Sequence, residues 1–264
     1  MGFIGIAILL GIVEGLTEFL PVSSTGHLIV AGHLLGFRGV GSETFEIFIQ
    51  LGAILAVVVL EWRRFLDLLR PGRPGTLSGP RGCALLMTTT VPALVAGALV
   101  HDWIKDNLFG PATVAWALAL GGVALLLVER YRPAPSVDAI DGVGYRQALL
   151  IGLFQCLSLW PGVSRSGATI VGGLLCGLER RAAARYSFLA AVPVMAAATL
   201  YDLMKTWSHL GAHDIAPFAT GFVVAFLSAL FAMRWFVALL GRHTLRPFAW
   251  YRILVAPAVY FLVN

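Results

Sequence analysis

The sequence predicts an all-α integral membrane protein made of two inverted-topology repeats, each with one re-entrant helix hairpin and three transmembrane helices. Three observations support this fold class. The 264 residues are 58% hydrophobic and only 12% charged, with a mean hydropathy of +0.84. A stretch of seventeen residues occurs twice, and Lys and Arg are concentrated in alternate loops. A soluble helical protein could not bury this much apolar surface.

Six apolar segments are long enough to cross a bilayer, which takes roughly 20 residues of helix. In chain order they are Phe45–Leu60, Cys83–Val100, Ala112–Val128, Tyr186–Leu203, Ile215–Leu240 and Phe248–Val263. The Gly- and Pro-rich stretch Arg63–Gly82 is predicted to be a polar loop. Residues 1–264 are predicted to form a single membrane domain, with repeat one over about 1–141 and repeat two over about 142–264.

The duplicated stretch interrupts the apolar pattern once in each half. Gly11–His27 reads GIVEGLTEFLPVSSTGH and Gly152–Ala168 reads GLFQCLSLWPGVSRSGA, so Gly11 corresponds to Gly152 at an offset of 141 residues. In the first copy the break at Pro21–Gly26 leaves apolar pieces of about 15 and 10 residues, which are too short to span, and the second copy has the same form. Each copy is therefore predicted to be a re-entrant hairpin. Irregular backbone at membrane depth must be buried in protein or line a polar cavity, so the two hairpins are expected to meet.

The distribution of basic residues agrees with inverted repeats. Three crossings per repeat make the second copy start on the opposite face of the membrane from the first, whereas hairpins that crossed fully would give eight spans. The loops 62–81, 129–147, 178–185 and 238–248 then share one side and carry 13 of the 19 Lys and Arg residues. The other side carries three, Arg38, Lys105 and Lys205. The positive-inside rule places the arginine-rich loops in the cytoplasm and both termini outside. The scattered arginines do not indicate nucleic-acid binding.

The first copy carries two carboxylates that are expected to lie at membrane depth. Glu14 and Glu18 are four residues apart, so both lie on the same face of a helix. Ionisable groups in membrane segments are costly and indicate a functional site. Two adjacent carboxylates repel unless a cation or a shared proton lies between them, and Mg²⁺ or Ca²⁺ would suit their oxygen atoms. The alternative is a pair of interfacial carboxylates near a helix end.

A hydroxyl-rich turn follows these carboxylates. Ser23, Ser24 and Thr25 can donate hydrogen bonds to phosphate oxygens or act as nucleophiles, and His27 can exchange protons near neutral pH. A Ser-Ser-Thr turn before a helix is by itself usually a helix cap. The upstream glutamates and the downstream histidine favour a functional interpretation.

The second copy has exchanged its carboxylates for a cation. Gln155 replaces Glu14, and Leu159 replaces Glu18. Arg165 is a permanent cation that can bind phosphate through two nitrogen atoms, or could serve only to neutralise the glutamates. Its neighbours add the hydroxyls of Ser164, Ser166 and Thr169. Together the two copies predict one composite phosphate site, and its apolar surroundings favour a lipid substrate.

The motifs EGLTEFLPVSSTGH and PGVSRSGAT closely resemble the two signature regions of the bacterial undecaprenyl-diphosphate phosphatases of the bacitracin-resistance type. The resemblance covers nearly the whole chain. It implies a plasma (inner) membrane enzyme that hydrolyses undecaprenyl diphosphate to undecaprenyl phosphate and inorganic phosphate, which recycles the lipid carrier for cell-wall synthesis and confers bacitracin resistance. It also implies a divalent-cation cofactor and a site open to the extracytoplasmic side. Carried over by position, it implicates Glu14, Glu18, Ser23, Ser24, Thr25, His27, Ser164, Arg165, Ser166 and Thr169.

These residues suggest a division of roles. Arg165 and the motif hydroxyls would bind the diphosphate, and the two glutamates would hold the cation. Ser24 would attack the terminal phosphorus, or position a water molecule that does, while His27 moves the proton.

Two questions stay open at the level of sequence. Inverted repeats with broken helices are typical of secondary transporters, so a transporter or flippase for a phosphorylated polyprenyl lipid or a small anion is the rival interpretation. Small-residue patterns such as Gly172-Gly173 and Ala182–Ala184 allow close helix packing, either within one chain or in a homodimer.

Overall fold

The structure, a computed structural model, describes residues 2–37, 40–73, 75–108, 110–206 and 215–263. Over these ranges the chain forms α-helices and two short 3₁₀ turns but no β-strand, which confirms the all-α prediction for this part. The helices are α1 (Phe3–Thr17), α2 (Ser24–Leu34), α3 (Val40–Leu60), α4 (Trp62–Leu68), α5 (Gly79–Leu108), α6 (Pro111–Tyr131), α7 (Tyr145–Cys156), α8 (Arg165–Leu175), α9 (Arg180–Thr206), α10 (Ile215–Leu240) and α11 (Arg246–Val263). Arg38, which is predicted to lie on the side of the membrane with few basic residues, is outside the described residues.

Four helices are long and apolar enough to cross a membrane, namely α5, α6, α9 and α10. Residues Thr44–Leu60 of α3 together with α4 form a fifth candidate, a pair bent by 77°. The sixth predicted segment is helical as α11, but this helix contains Arg246, Arg252 and Pro257 and is not among the candidates. The chain is therefore a multi-pass helical membrane protein with four or five candidate spans in its described part.

The duplication is visible in the backbone as well as in the sequence. Helices α2 and α8 each have 11 residues, and both their first and last residues are related by the 141-residue offset. Each is followed, two residues after its end, by a glycine with positive φ, 64° at Gly36 and 83° at Gly177. Such φ values strongly favour glycine because a side chain would clash with the backbone. The two hairpins thus end in the same way.

Equivalent helices pack against partners from the opposite half of the chain. Helix α1 packs on α10, and its repeat counterpart α7 packs on α5. Both contacts need glycine, since a Cβ on Gly11 would lie 2.7 Å from the backbone oxygen of Gly221, and one on Gly152 would lie 2.7 Å from that of Thr89. This exchange of partners brings the loop between α1 and α2 next to the loop between α7 and α8.

Two predicted boundaries are wrong. The stretch Arg63–Gly82 is not simply a polar loop, because it contains most of α4 and the start of α5. Phe65 and Leu68 of α4 pack against the hydrophobic core, and this burial favours the helix over loop structure. The break in the first hairpin also lies three residues earlier than Pro21–Gly26, since α1 ends at Thr17 and α2 begins at Ser24.

Candidate active site

The carboxylate of Glu18 lies at the centre of the site. Glu18 follows α1 directly and is buried, with 8% of its surface exposed. Its Oε2 accepts a hydrogen bond of 2.5 Å from Oγ of Ser24, the first residue of α2. Its Oε1 lies 3.2 Å from Nη2 of Arg165, the first residue of α8. One carboxylate thus links the hydroxyl of the first motif to the guanidinium of the second.

The guanidinium of Arg165 is fixed from several sides. Its Nη1 donates to the backbone oxygen of Ser187 on α9 at 3.0 Å, and its Cζ lies 5.5 Å from the ring centroid of Phe19. Its Nε has no hydrogen-bond partner among the described residues. A buried guanidinium with an unused N–H beside a hydroxyl group is well suited to bind a phosphoryl oxygen.

The three hydroxyls of the second motif surround Arg165. Ser166 Oγ donates to the backbone oxygen of Leu20 at 2.7 Å, which joins α8 to the first loop. Ser164 Oγ lies 3.0 Å from Ser166 Oγ, and Thr169 Oγ1 lies 2.6 Å from the hydroxyl of Ser187. All three are buried. The structure therefore brings these predicted residues to the same place as Glu18.

Both motif loops hold a serine in an unusual backbone conformation. The φ angle is 73° at Ser23 and 76° at Ser164, a region that costs a non-glycine residue about 1–3 kcal/mol. Each serine caps the following helix, because its Oγ accepts a hydrogen bond from the backbone N–H of Gly26 or Gly167. The cap role considered for the Ser-Ser-Thr turn thus belongs to Ser23, which leaves Ser24 to bond with Glu18. Strain at equivalent positions of both loops points to a functional constraint.

His27 contacts groups other than the Ser24 hydroxyl. Its Nδ1 lies 2.7 Å from the backbone oxygen of Ser23 and must donate to it, because a carbonyl only accepts. Nε2 of the neutral ring is then an acceptor, and it lies 2.6 Å from the hydroxyl of Tyr251 on α11, whose ring stacks on the imidazole. Both ring nitrogens are therefore engaged. The remaining predicted residue, Thr25, is half-buried and makes no side-chain hydrogen bond within the described ranges.

Glu14 is a buried carboxylate without a partner. It is fully buried in α1, and neither oxygen has a hydrogen-bond partner among the described residues. It lies within electrostatic range of Glu18, Glu46 and Arg165. Such a group is costly unless a cation or a proton neutralises it, so Glu14 and Glu18 fit a cation site. The part of the chain that the structure describes contains no group of three or more His, Cys, Asp or Glu side chains that could hold a metal.

A second buried arginine ties the two loops together. Arg252 on α11 is 1% exposed, and its guanidinium bonds only to backbone oxygens. Five hydrogen bonds of 2.8–3.2 Å reach Pro21 in the first loop, Gly162 and Val163 in the second, and Ala117 and Leu118 in α6. All five N–H groups of the side chain are thereby used. Arg252 fixes the position of one loop relative to the other.

Sequence reasoning missed three residues of this site. Ser187, Tyr251 and Arg252 lie outside the duplicated motifs, on α9 and α11. Arg252 had a detectable signal, since it is a charged residue in an otherwise apolar segment, where charge usually indicates function. Ser187 and Tyr251 had none, because single polar residues are common in such segments.

The sequence is similar to known proteins over nearly its whole length. Residues 7–258 match the model of a family described as "Bacitracin resistance protein BacA". Proteins named undecaprenyl-diphosphatase from Nitratidesulfovibrio vulgaris, Maridesulfovibrio salexigens and Desulfovibrio desulfuricans are 58%, 57% and 56% identical over 257, 255 and 259 residues. The alignments cover 97–98% of this chain and the same share of each relative. Glu18, Ser24 and Arg165 all lie within the matched region.

Proposed function

The chain belongs to the bacitracin resistance protein BacA family, and we propose that it hydrolyses undecaprenyl diphosphate to undecaprenyl phosphate and inorganic phosphate. The observation that carries this proposal is the arrangement of Ser24, Glu18 and Arg165, in which a hydroxyl, a proton acceptor and an anion-binding group are joined by hydrogen bonds. Phosphoryl transfer to a serine needs these three groups. The reaction returns the lipid carrier to cell-wall synthesis, which accounts for bacitracin resistance in the family.

We propose that Glu18, rather than His27, acts as the general base, because Ser24 Oγ is hydrogen-bonded to Glu18 and the ring nitrogens of His27 are engaged elsewhere. Ser24 Oγ attacks the terminal phosphorus, and its proton passes to Glu18 along their 2.5 Å hydrogen bond. The bond from that phosphorus to the bridging oxygen breaks, and undecaprenyl phosphate leaves with the oxygen. Water then attacks the phosphoserine, a proton returns to the Ser24 oxygen, and inorganic phosphate is released.

Arg165 stabilises the phosphoryl group while negative charge accumulates on its oxygens. Its buried Nε has no partner among the described residues, so we expect it to donate to a phosphoryl oxygen once the substrate is bound, while Glu18 and Ser187 hold the guanidinium in place. The first backbone N–H groups of α2 and α8 also favour an anion, because they have no acceptor within their helices. In the first motif, the hydroxyls of Ser23 and Thr25 donate to no acceptor among the described residues and supply further donors.

A divalent cation, Mg²⁺ or Ca²⁺, would be held by Glu14 and Glu18. When bound, it would neutralise the diphosphate and polarise its phosphorus–oxygen bonds. The support for this site is the unpartnered, fully buried carboxylate of Glu14. Glu18 can contribute as well, since a carboxylate has lone pairs beyond those used by Ser24 and Arg165.

The cation site predicts an unusual response to Glu14→Gln. The half-maximal Mg²⁺ or Ca²⁺ concentration for activity is expected to rise at least about tenfold. The Tm in EDTA is expected to stay equal or to rise, because the substitution removes an unpaired buried charge. Activity as a function of cation concentration and thermal unfolding with and without EDTA test both parts. An unchanged cation response, or a lower Tm in EDTA, would show that Glu14 has another role.

Phosphate release tests the function itself. Purified protein in detergent micelles is expected to release inorganic phosphate from undecaprenyl diphosphate, whereas a transporter alone would release none. With ³²P on the terminal phosphate, an acid quench is expected to trap label on Ser24. Ser24→Ala is expected to trap no label and to lose about 10³-fold or more in kcat. The control is Thr88→Ala, whose hydroxyl bonds only within α5. A Ser24→Ala enzyme with substantial activity would show that Ser24 only positions water.

The topology that we propose has six spans and two re-entrant hairpins in inverted repeats, with both termini outside and the active site facing the extracytoplasmic side. Helices α1 and α2 have 15 and 11 residues, or about 22 and 16 Å, which is short of the roughly 30 Å hydrocarbon core. The two helices contact each other, as α7 and α8 do, which is typical of hairpins. Lys and Arg are concentrated in the loops that this topology has on the cytoplasmic side, which supports the orientation in a bacterial inner membrane.

Cysteine labelling in intact cells tests this topology. In a cysteine-free background, Gly2→Cys, Leu34→Cys and Asn107→Cys are expected to react with a membrane-impermeant maleimide, because these positions are exposed and the proposed topology has them outside. Ala134→Cys is expected to react only after the membrane is permeabilised. Labelling of Gly2→Cys and Leu34→Cys from opposite sides would show that α1 and α2 form a full crossing.

A further inference from the structure

Two adjoining cavities lie at the arginine-rich end of the bundle. The larger, about 800 Å³, lies between the C-terminal ends of α3 and α10 and the N-terminal end of α9. The smaller, about 400 Å³, follows α10 as far as His243. Arg181 and Ala238 line both cavities. Glu18, Ser24 and Arg165 line neither of them, so the cavities are separate from the phosphatase site.

The arginines of these cavities differ in whether a carboxylate neutralises them. Arg185 is held by Glu61 through two hydrogen bonds of 2.9 Å, and Arg64 is held by Asp141 at 3.1 Å. Three others are exposed and form no ion pair within the described part of the chain, namely Arg181, Arg234 and Arg242. Five arginines and three carboxylates line the two cavities together, and Asp141 outside the lining neutralises Arg64, which leaves a surplus of one positive charge. This surplus of positive charge favours an anionic ligand.

Arg181 lies at the boundary between the cavities and is paired with no carboxylate among the described residues. Its guanidinium lies against the backbone of Gly241, just after the end of α10, and a Cβ on Gly241 would overlap it. The absence of a side chain at position 241 therefore leaves room for the guanidinium at the junction of the two cavities. A guanidinium that is positioned but not neutralised is available to a phosphate.

The cavities continue an apolar face of α10. Leu227, Phe231 and Ala238 lie on one face because they are spaced by about one or two helical turns, and Arg234 and Trp235 lie between them. Leu227 is 57% exposed and Phe231 is 66% exposed. In a membrane this face contacts acyl chains, and Trp235, also exposed, is typical of the membrane–water interface. Acyl chains on this face would place a headgroup at the unpaired arginines.

We propose that these cavities bind an anionic phospholipid, whose phosphate contacts Arg181 and Arg234 while an acyl chain lies along Leu227 and Phe231 of α10. Basic pockets between transmembrane helices at the cytoplasmic side are typical binding sites for anionic lipid headgroups. The site differs from the catalytic centre in its ligand, which is a membrane phosphodiester and is not hydrolysed. The bound lipid would fix the ends of α9 and α10 relative to each other.

The test is a titration of purified full-length protein in neutral detergent with phosphatidylglycerol, read by native mass spectrometry and by the shift in Tm. The double variant Arg181→Gln/Arg234→Gln is expected to weaken binding at least about tenfold. The matched control is Arg130→Gln/Arg146→Gln, which removes two exposed arginines outside the cavities and is expected to bind like the wild type. If both double variants lose phosphatidylglycerol affinity equally, the attraction is diffuse and electrostatic, and the proposed site is wrong.

Further binding measurements distinguish an anionic phospholipid from other ligands. Phosphatidylcholine is expected to bind at least about tenfold more weakly, since it carries no net charge. If it binds as tightly as phosphatidylglycerol, the anionic specificity is wrong. If inorganic phosphate displaces phosphatidylglycerol at equal concentration, the site takes a soluble anion rather than a lipid. Gly241→Ala displaces Arg181 without changing any charge and is expected to weaken binding too, so wild-type binding in a folded Gly241→Ala protein also contradicts the proposal.

Discussion

Glu18→Gln is expected to lower kcat by about 10³-fold, within the range of about 10²–10⁴-fold that removal of a general base costs. The amide oxygen can still accept the hydrogen bond from Ser24, but it cannot take the proton. Arg165 at the same time loses the carboxylate that holds its Nη2. The measurements are kcat and KM for undecaprenyl diphosphate in detergent, together with Tm.

The matched control is Glu129→Gln. Glu129 is also buried and held by an arginine, since Arg180 binds it through Nε at 2.9 Å, and the backbone N–H of Leu245 donates to it at 2.8 Å. It lies at the other end of the bundle, so its substitution is expected to lower Tm and to change kcat by no more than about threefold. If both variants lose activity in proportion to their stability, Glu18 is a structural residue and not a base.

Arg252→Met is expected to lower Tm by several degrees and kcat by about 10²-fold. The substitution removes five hydrogen bonds. The oxygens of Ala117 and Leu118 keep their donors within α6. Those of Pro21, Gly162 and Val163 in the loops lose theirs, and each orphaned buried group costs about 1–3 kcal/mol. The substitution also frees the loop of Pro21 to move relative to that of Gly162 and Val163. A displacement of about 1 Å between reacting groups costs about 10²-fold in rate.

Two variants separate this role from a general effect of charge. Arg246→Met removes an arginine from the exposed start of the same helix and is expected to leave kcat and Tm nearly unchanged. Arg252→Lys keeps the charge but has only three N–H donors, so an intermediate loss is expected. Wild-type kcat and Tm in Arg252→Met would refute the positioning role.

Much of the fold could be predicted from hydropathy and from the duplication. The segment Ile215–Leu240 is helical over its whole length as α10, because a long apolar run favours a helix and its one proline, Pro217, lies near the described start of the helix and not in its middle. The offset between the two motifs also recurs in the bounds of α2 and α8. Helix α4 was missed, since its stability comes from the burial of Phe65 and Leu68 and not from its local sequence.

The sequence predicts candidate site residues within the two motifs, but it predicts neither their hydrogen bonds nor the candidates on α9 and α11. The repeat and the cost of charge in a membrane identified Glu14, Glu18 and Arg165. The proton acceptor of Ser24 could not be chosen by sequence, because Glu18 and His27 are both within six residues of it. The choice depends on the turn between α1 and α2, which directs Ser24 Oγ to Glu18 and His27 to Tyr251.

Local chemistry and periodicity therefore determine the helices, the pairing of the two motifs and the residue types of a phosphate site, since each depends on neighbours in the chain. Contacts between distant residues decide the rest. Glu18 and Arg165 are 147 positions apart in the sequence, and His27 and Tyr251 are 224 apart. The five hydrogen bonds of Arg252 reach backbone oxygens that are 89 to 231 positions away. Only the packing of α1 on α10, α7 on α5 and α11 on α6 brings such residues within hydrogen-bond distance.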